Sequence, residues 1–170
     1  MFDTSGGQDG HDPLPPGILS RLMRTWRNPA RVMRAQASLS ESGLMVVLFL
    51  AMALTFLAQL PVHQRMVILD PSIPSEGWAF GTLVGLILAA LLAYGLAALV
   101  TLVLRRRISG HASRVALFWS VLAVSPLVLL AGLGEGYLGA GPAVTVLRYF
   151  AFAAFMWFWI SGIRTFWDKR

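Results

Sequence analysis

Four long apolar stretches constrain this chain more than anything else in it. They run from Gly43 to Leu60, Phe80 to Leu104, Val115 to Leu133 and Ala143 to Ile163. Each is close to or above the roughly 20 residues an α-helix needs to cross the hydrocarbon of a bilayer. No water reaches backbone amides there, so a spanning segment must satisfy them internally, which a helix does. Hydrophobic residues make up 56% of the 170 residues and charged ones 13%, far more apolar surface than a soluble domain of this size can hide. The expected fold class is all-α, an integral membrane four-helix bundle. About forty residues precede the first stretch. No small-residue cleavage site follows it at Gln59-Leu60-Pro61-Val62-His63, so it is expected to be retained as a span.

The cations give the expected orientation. Arg21, Arg24, Arg27, Arg31 and Arg34 precede the first span, Arg105, Arg106, Arg107 and Arg114 separate the second from the third, and Arg164, Lys169 and Arg170 follow the fourth. The opposite loops hold Arg65 and little else. Basic residues stay on the cytoplasmic side, which places both termini and the 105–114 loop there. The net charge of +6 is then a signal of topology and lipid contact. Nucleic acid is excluded as a partner because the charge is split among three short juxtamembrane pieces. Arginine outnumbers lysine thirteen to one, which suggests a bacterium with a GC-rich genome, hence the inner membrane.

Residues 1–17 are polar and rich in Gly and Pro, and are expected to form a disordered cytoplasmic tail. Residues 18–42 form an amphipathic juxtamembrane segment. Its five arginines recur three or four apart on one helical face, and Ile18, Leu19, Leu22, Met23, Trp26 and Met33 occupy the other. Asn28-Pro29 starts a second helix, with Asn as cap and Pro in the first turn. Two short helices should lie on the membrane surface, their arginines meeting anionic headgroups; an ordinary positive-inside flank is the alternative. Ser38-Leu39-Ser40-Glu41 reads as a capping box for the first span.

In the second span Gly81, Gly85, Ala89, Ala93 and Ala97 recur every four residues. This smooth stripe allows close helix approach, to another span of the chain or to a second copy of it; an intramolecular partner is expected. In the third span Pro126 frees the carbonyl of Leu122 and should kink the helix. Ser120 and Ser125 can satisfy the freed groups, although a kink can also open a pocket.

Apparent chemical motifs fail on context. Residues Gly134 to Gly139 match GxGxxG, but no strand precedes them, and a flexible turn is expected. His11, His63 and His111 lack metal-site spacing and are expected to be solvated. The absence of cysteine removes disulfides, thiolate ligands and catalytic thiols. Arg148 is the ionisable group nearest mid-membrane, able to snorkel outward or to pair with Glu135. No nucleophile, base or metal constellation marks an enzyme, and no cofactor is expected. The aromatic run from Tyr149 to Trp167 reads as lipid contact and interfacial belt.

Two segments resemble a known family. Trp26-Arg27-Asn28-Pro29-Ala30-Arg31-Val32-Met33-Arg34, followed by a short apolar bundle, resembles the basic, proline-containing entry of bacterial Yip-family membrane proteins, relatives of the Ypt-interacting proteins. Ser113-Arg114-Val115-Ala116-Leu117-Phe118-Trp119, together with Ser125-Pro126-Leu127, is similar to that family's basic residue, aromatic helix and intramembrane proline. The resemblance covers roughly residues 24–165, with four spans where the family commonly has five. It implies a helical bundle whose cytoplasmic N-terminal segment organises lipids or proteins without catalysis. The residues expected to act are Arg21, Arg24, Arg27, Arg31 and Arg34, on headgroups or a partner, with Gly81, Gly85, Ala89 and Pro126 shaping the bundle. A small permease or channel using the third span around Pro126 is the alternative.

Overall fold

The computed structural model describes residues 17–74, 76–104 and 107–167. The expected tail, His11, Arg105, Arg106, Lys169 and Arg170 lie outside the described residues, apart from Gly17. Six helices and no strand occur among the described residues: α1 (Ile18–Arg27), α2 (Pro29–Gln36), α3 (Glu41–Leu69), α4 (Trp78–Val103), α5 (Gly110–Leu138) and α6 (Pro142–Thr165). Helices α3 to α6 are each long and apolar enough to cross a membrane. The chain is an all-α membrane protein.

Local chemistry sets the helix ends. Asn28 caps α2 by accepting a hydrogen bond from the Arg31 amide at 3.2 Å, with Pro29 in the first turn, as its spacing predicts. The cap of α3 differs from expectation. Ser40 is the capping residue and accepts from the Gly43 amide at 3.2 Å, while the Ser38 hydroxyl donates back to the Ala35 carbonyl at the end of α2. Glu41 therefore opens the helix and is available to other helices. Helix α3 also continues through Pro61 to Leu69, well past the apolar stretch. The polar run His63-Gln64-Arg65 interrupts apolarity there, whereas backbone hydrogen bonding carries on through it to Met66-Val67-Ile68-Leu69.

Helix α5 is the hub. Of its apolar stretch 67% is buried, against 28% for α3, 22% for α6 and 6% for α4, and it touches every other helix. Phe118, Trp119 and Leu122 of α5 meet Leu44 and Leu48 of α3, Ala97 of α4 and Phe158 of α6 in one core. The Ser113 hydroxyl donates to the Ala97 carbonyl at 2.9 Å and ties α5 to α4.

The close helix contact falls elsewhere than expected. A methyl group at Gly81 or Gly85 would meet no described atom within 4 Å, and Ala89 is exposed as well. Only the lower stripe packs, with Ala93 half-buried and Ala97 buried. A step of four residues drifts by about 40° around an α-helix, so the stripe turns from the outside of the bundle at Gly81 into the core at Ala97. The tight seam is instead between α3 and α5. There a methyl at Gly132 would lie 2.1 Å from the Ala58 carbonyl oxygen, and one at Gly136 would lie 2.3 Å from Pro61 Cβ. The Gly134–Gly139 motif is correspondingly no flexible turn: it is helical to Leu138, and Gly139 ends the helix with φ of 86°, a left-handed value that suits glycine.

Pro126 lies inside α5, which runs past it unbroken. The Ser125 hydroxyl donates to the Leu122 carbonyl at 2.8 Å and Ser120 to Ala116 at 2.6 Å, so the carbonyl freed by proline is satisfied from within the helix. Both serines are buried, whereas Pro126 itself is exposed on the outside of the bundle.

Candidate functional site

The end of the bundle carrying α1 and α2 gathers most of the arginines. These helices exist where expected, but they do not simply float on a surface. Thr25, Val32, Met33 and Gln36 are all at or below 1% exposure, docked on α5 and α6. The Trp119 indole N–H donates to the Thr25 hydroxyl at 3.0 Å, and that hydroxyl donates to the Arg21 carbonyl at 2.8 Å. Trp26 meets Phe158 edge-on with ring centroids 4.9 Å apart, a favourable aromatic geometry. Met33 reaches Gly162, where a methyl would lie 3.5 Å from its sulfur and 2.8 Å from Ala116 Cβ.

The expected apolar face is thus split. Leu22 and Met33 point into the bundle, while Ile18, Leu19 and Met23 stay exposed and Trp26 is partly so. Of the arginines, Arg24, Arg27, Arg31 and Arg34 are exposed and Arg21 is half-buried. A polar Thr at the centre of the docked face is what the residue pattern hid. Its partner Trp119 is flagged only by an indole N–H that needs an acceptor when buried.

A second cluster locks this end. Glu41 accepts from Arg114 at 2.5 Å and sits 3.1 Å from His111 Nδ1, and His111 Nε2 lies 3.2 Å from the Ala37 carbonyl. The Glu41 carboxylate joins the first residue of α3 to the first turns of α5, and His111 carries the link on to the end of α2. His111 is therefore engaged, contrary to the solvated role expected of it. The Arg107 guanidinium lies 5.8 Å from the centroid of the Trp167 ring, within cation–π range.

At the opposite end His63 stacks on Trp78 at 4.1 Å and is half-buried. Arg65 donates to the carbonyls of Gly136 and Tyr137 at 3.4 and 3.2 Å, placing a cation at the negative C-terminal end of α5. Arg148 pairs with Glu135. In the loop after α3 the Asp70 carboxylate accepts from the Ser72 hydroxyl and amide, which hold its pKa below the usual value. Among the described residues no group of three or more His, Asp or Glu side chains could hold a metal ion.

No protein-family model, curated protein or solved structure matches this chain.

Proposed function

We propose that this is a non-catalytic membrane protein of Yip type that organises anionic lipids at the cytoplasmic face of a bacterial inner membrane. Its basic end faces the cytoplasm, and its arginines bind headgroup phosphates. The observation that carries this reading is the Thr25–Trp119 hydrogen bond. It fixes one face of the α1–α2 pair to the bundle and leaves Arg24, Arg27 and Arg34 turned outward. Ala116 and Gly162 touch, and α5 and α6 run in opposite directions. Trp119 and Trp159, three residues further from the basic end on each helix, therefore share a level, with Trp157 and Trp26 beside it. Of these, Trp26 and Trp157 are exposed and mark the headgroup level, where tryptophans collect and each arginine adds about 1 kcal/mol of attraction to an anionic surface. The exposed Leu19 and Met23 suit the acyl boundary just below. Against a permease path along Pro126, the hydroxyls of Ser120 and Ser125 are turned to carbonyls of their own helix.

The test is lipid selectivity after reconstitution. Spin-labelled phosphatidylglycerol should be immobilised by the wild type in preference to phosphatidylcholine. The triple variant Arg24→Gln, Arg27→Gln, Arg34→Gln should lose on the order of a hundredfold in that preference while inserting normally. Equal selectivity in wild type and variant would reduce the arginines to a topology signal.

A further inference from the structure

A second site lies at the other end of the molecule. Helices α3, α5 and α6 line an open cavity of about 350 Å3, within the usual range for small-molecule pockets. Its body is apolar, formed by Val62, Val128, Ala131 and Phe155 among others, and its polar side chains among the described residues are Gln59 and Arg148. The neighbours Tyr149 and Phe152 are 72% and 61% exposed, so this side of α6 faces lipid. The cavity joins an apolar chamber to a polar edge at Gln59 and Arg148.

Arg148 is the decisive residue. It stands six residues inside α6 from Pro142, about 9 Å along the axis, and its side chain is 59% exposed. One of its amino groups donates to Glu135, whose side chain is 14% exposed. A guanidinium carries five N–H donors, and no other hydrogen bond of Arg148 occurs among the described residues. Donors facing hydrocarbon without acceptors are costly. The exposed donors can take an acceptor at the cavity edge, and an anionic group is the best one. Arg65 reaches the adjacent carbonyls of Gly136 and Tyr137 and so brings a second cation to the end of α5 that carries Glu135.

We infer that this cavity binds the acyl chain of an anionic amphiphile whose phosphate or carboxylate head is held by Arg148, with Gln59 as a further hydrogen-bond partner. The chain lies between α3 and α6 over Val128 and Ala131. The head rests beside Glu135, which competes for the same guanidinium. The site is independent of the arginines on α1 and α2.

Native mass spectrometry of the full-length protein in mild detergent tests this, with phosphatidylglycerol, phosphatidylcholine and oleate as probes. The wild type should retain one phosphatidylglycerol or oleate in preference to phosphatidylcholine. A phospholipid source is indicated if phosphatidylglycerol is held better than oleate, and a fatty acid if the order is reversed. Arg148→Gln should weaken the anionic probe about tenfold or more, the value of a charge-assisted hydrogen bond. Glu135→Gln should strengthen it, because the competing carboxylate is gone. Ala151→Leu, which fills the chamber, should reduce retention of both anionic probes. Should that variant fail to fold, the opposed effects of the two edge substitutions still decide. Retention that does not distinguish anionic from zwitterionic probes, or that Arg148→Gln and Glu135→Gln leave unchanged, overturns the proposal. The Arg24, Arg27 and Arg34 variant should keep this binding, which separates the two sites.

Discussion

Replacing Gly132 by alanine should loosen the bundle, and the size of the effect can be worked from the seam it sits in. The added methyl would lie 2.1 Å from the Ala58 carbonyl oxygen, 2.8 Å from its carbonyl carbon and 3.0 Å from its Cα. All three are backbone atoms of a long helix, so no side chain can rotate away. Helices α3 and α5 must separate locally by roughly 1 Å. Overpacking of this kind costs about 1–3 kcal/mol, partly offset by the ~0.5–1 kcal/mol that alanine gains over glycine inside a helix. A net loss of about 1–2 kcal/mol is expected for Gly132→Ala, and Gly136→Ala should behave alike against Pro61. Gly81→Ala and Gly85→Ala meet open space and should gain ~0.5–1 kcal/mol. The assay is unfolding in mixed micelles followed by the fluorescence of the tryptophans, with the four variants compared in one detergent. A Gly132→Ala protein as stable as wild type would refute the seam. A loss of stability in Gly81→Ala would place a partner against α4.

Two further outcomes test the hydrogen bonds that α5 makes. Thr25→Val leaves the buried Trp119 indole N–H without an acceptor and should cost about 1–3 kcal/mol. Adding Trp119→Phe should cost less than the two single changes together, as a double-mutant cycle on the same unfolding assay would read. Ser125→Ala removes the donor that covers the Leu122 carbonyl. Its expected cost is about 0.6 kcal/mol, the average for side-chain hydrogen bonds in a membrane bundle, and it should shrink in a Pro126→Ala background, where a backbone amide takes over.

How much of this was legible in the sequence follows from how local each cause is. The break at Asn28-Pro29 and the covering of the Leu122 carbonyl by Ser125 depend on residues within one helical turn, and the spacing alone states them. The four spans are legible because hydrocarbon thickness sets their length. The overrun of α3 to Leu69 was not, since Pro61 and the polar run His63-Gln64-Arg65 interrupt the apolar pattern before Met66-Val67-Ile68-Leu69 resumes it. The seam was not legible either. Small residues four apart occur in both α4 and α5, at Gly81 and Gly85 and again at Gly132 and Gly136, and the pattern is silent about which helix becomes the hub. In α5 it was further masked by Glu135 and by a likeness to a phosphate-binding loop.

The arginine face shows the same limit at the level of the site. Arg24, Arg27 and Arg34 can be picked out by period and charge, because a solvated face obeys helical geometry and little else. The docked face cannot, because it is defined by what receives it. Thr25 looks like a flaw in an amphipathic helix until Trp119, ninety-four residues away, supplies the donor that makes a hydroxyl the right residue there. Glu41 likewise looks like part of a cap until Arg114 and His111 arrive from α5. Both surprises involve polar side chains that are satisfied by long-range partners on one helix. An unexplained polar side chain beside a membrane span is therefore the sequence feature that most repays a search for its partner, and Arg148, with only part of its hydrogen-bonding capacity met by Glu135, is one that can take a further acceptor.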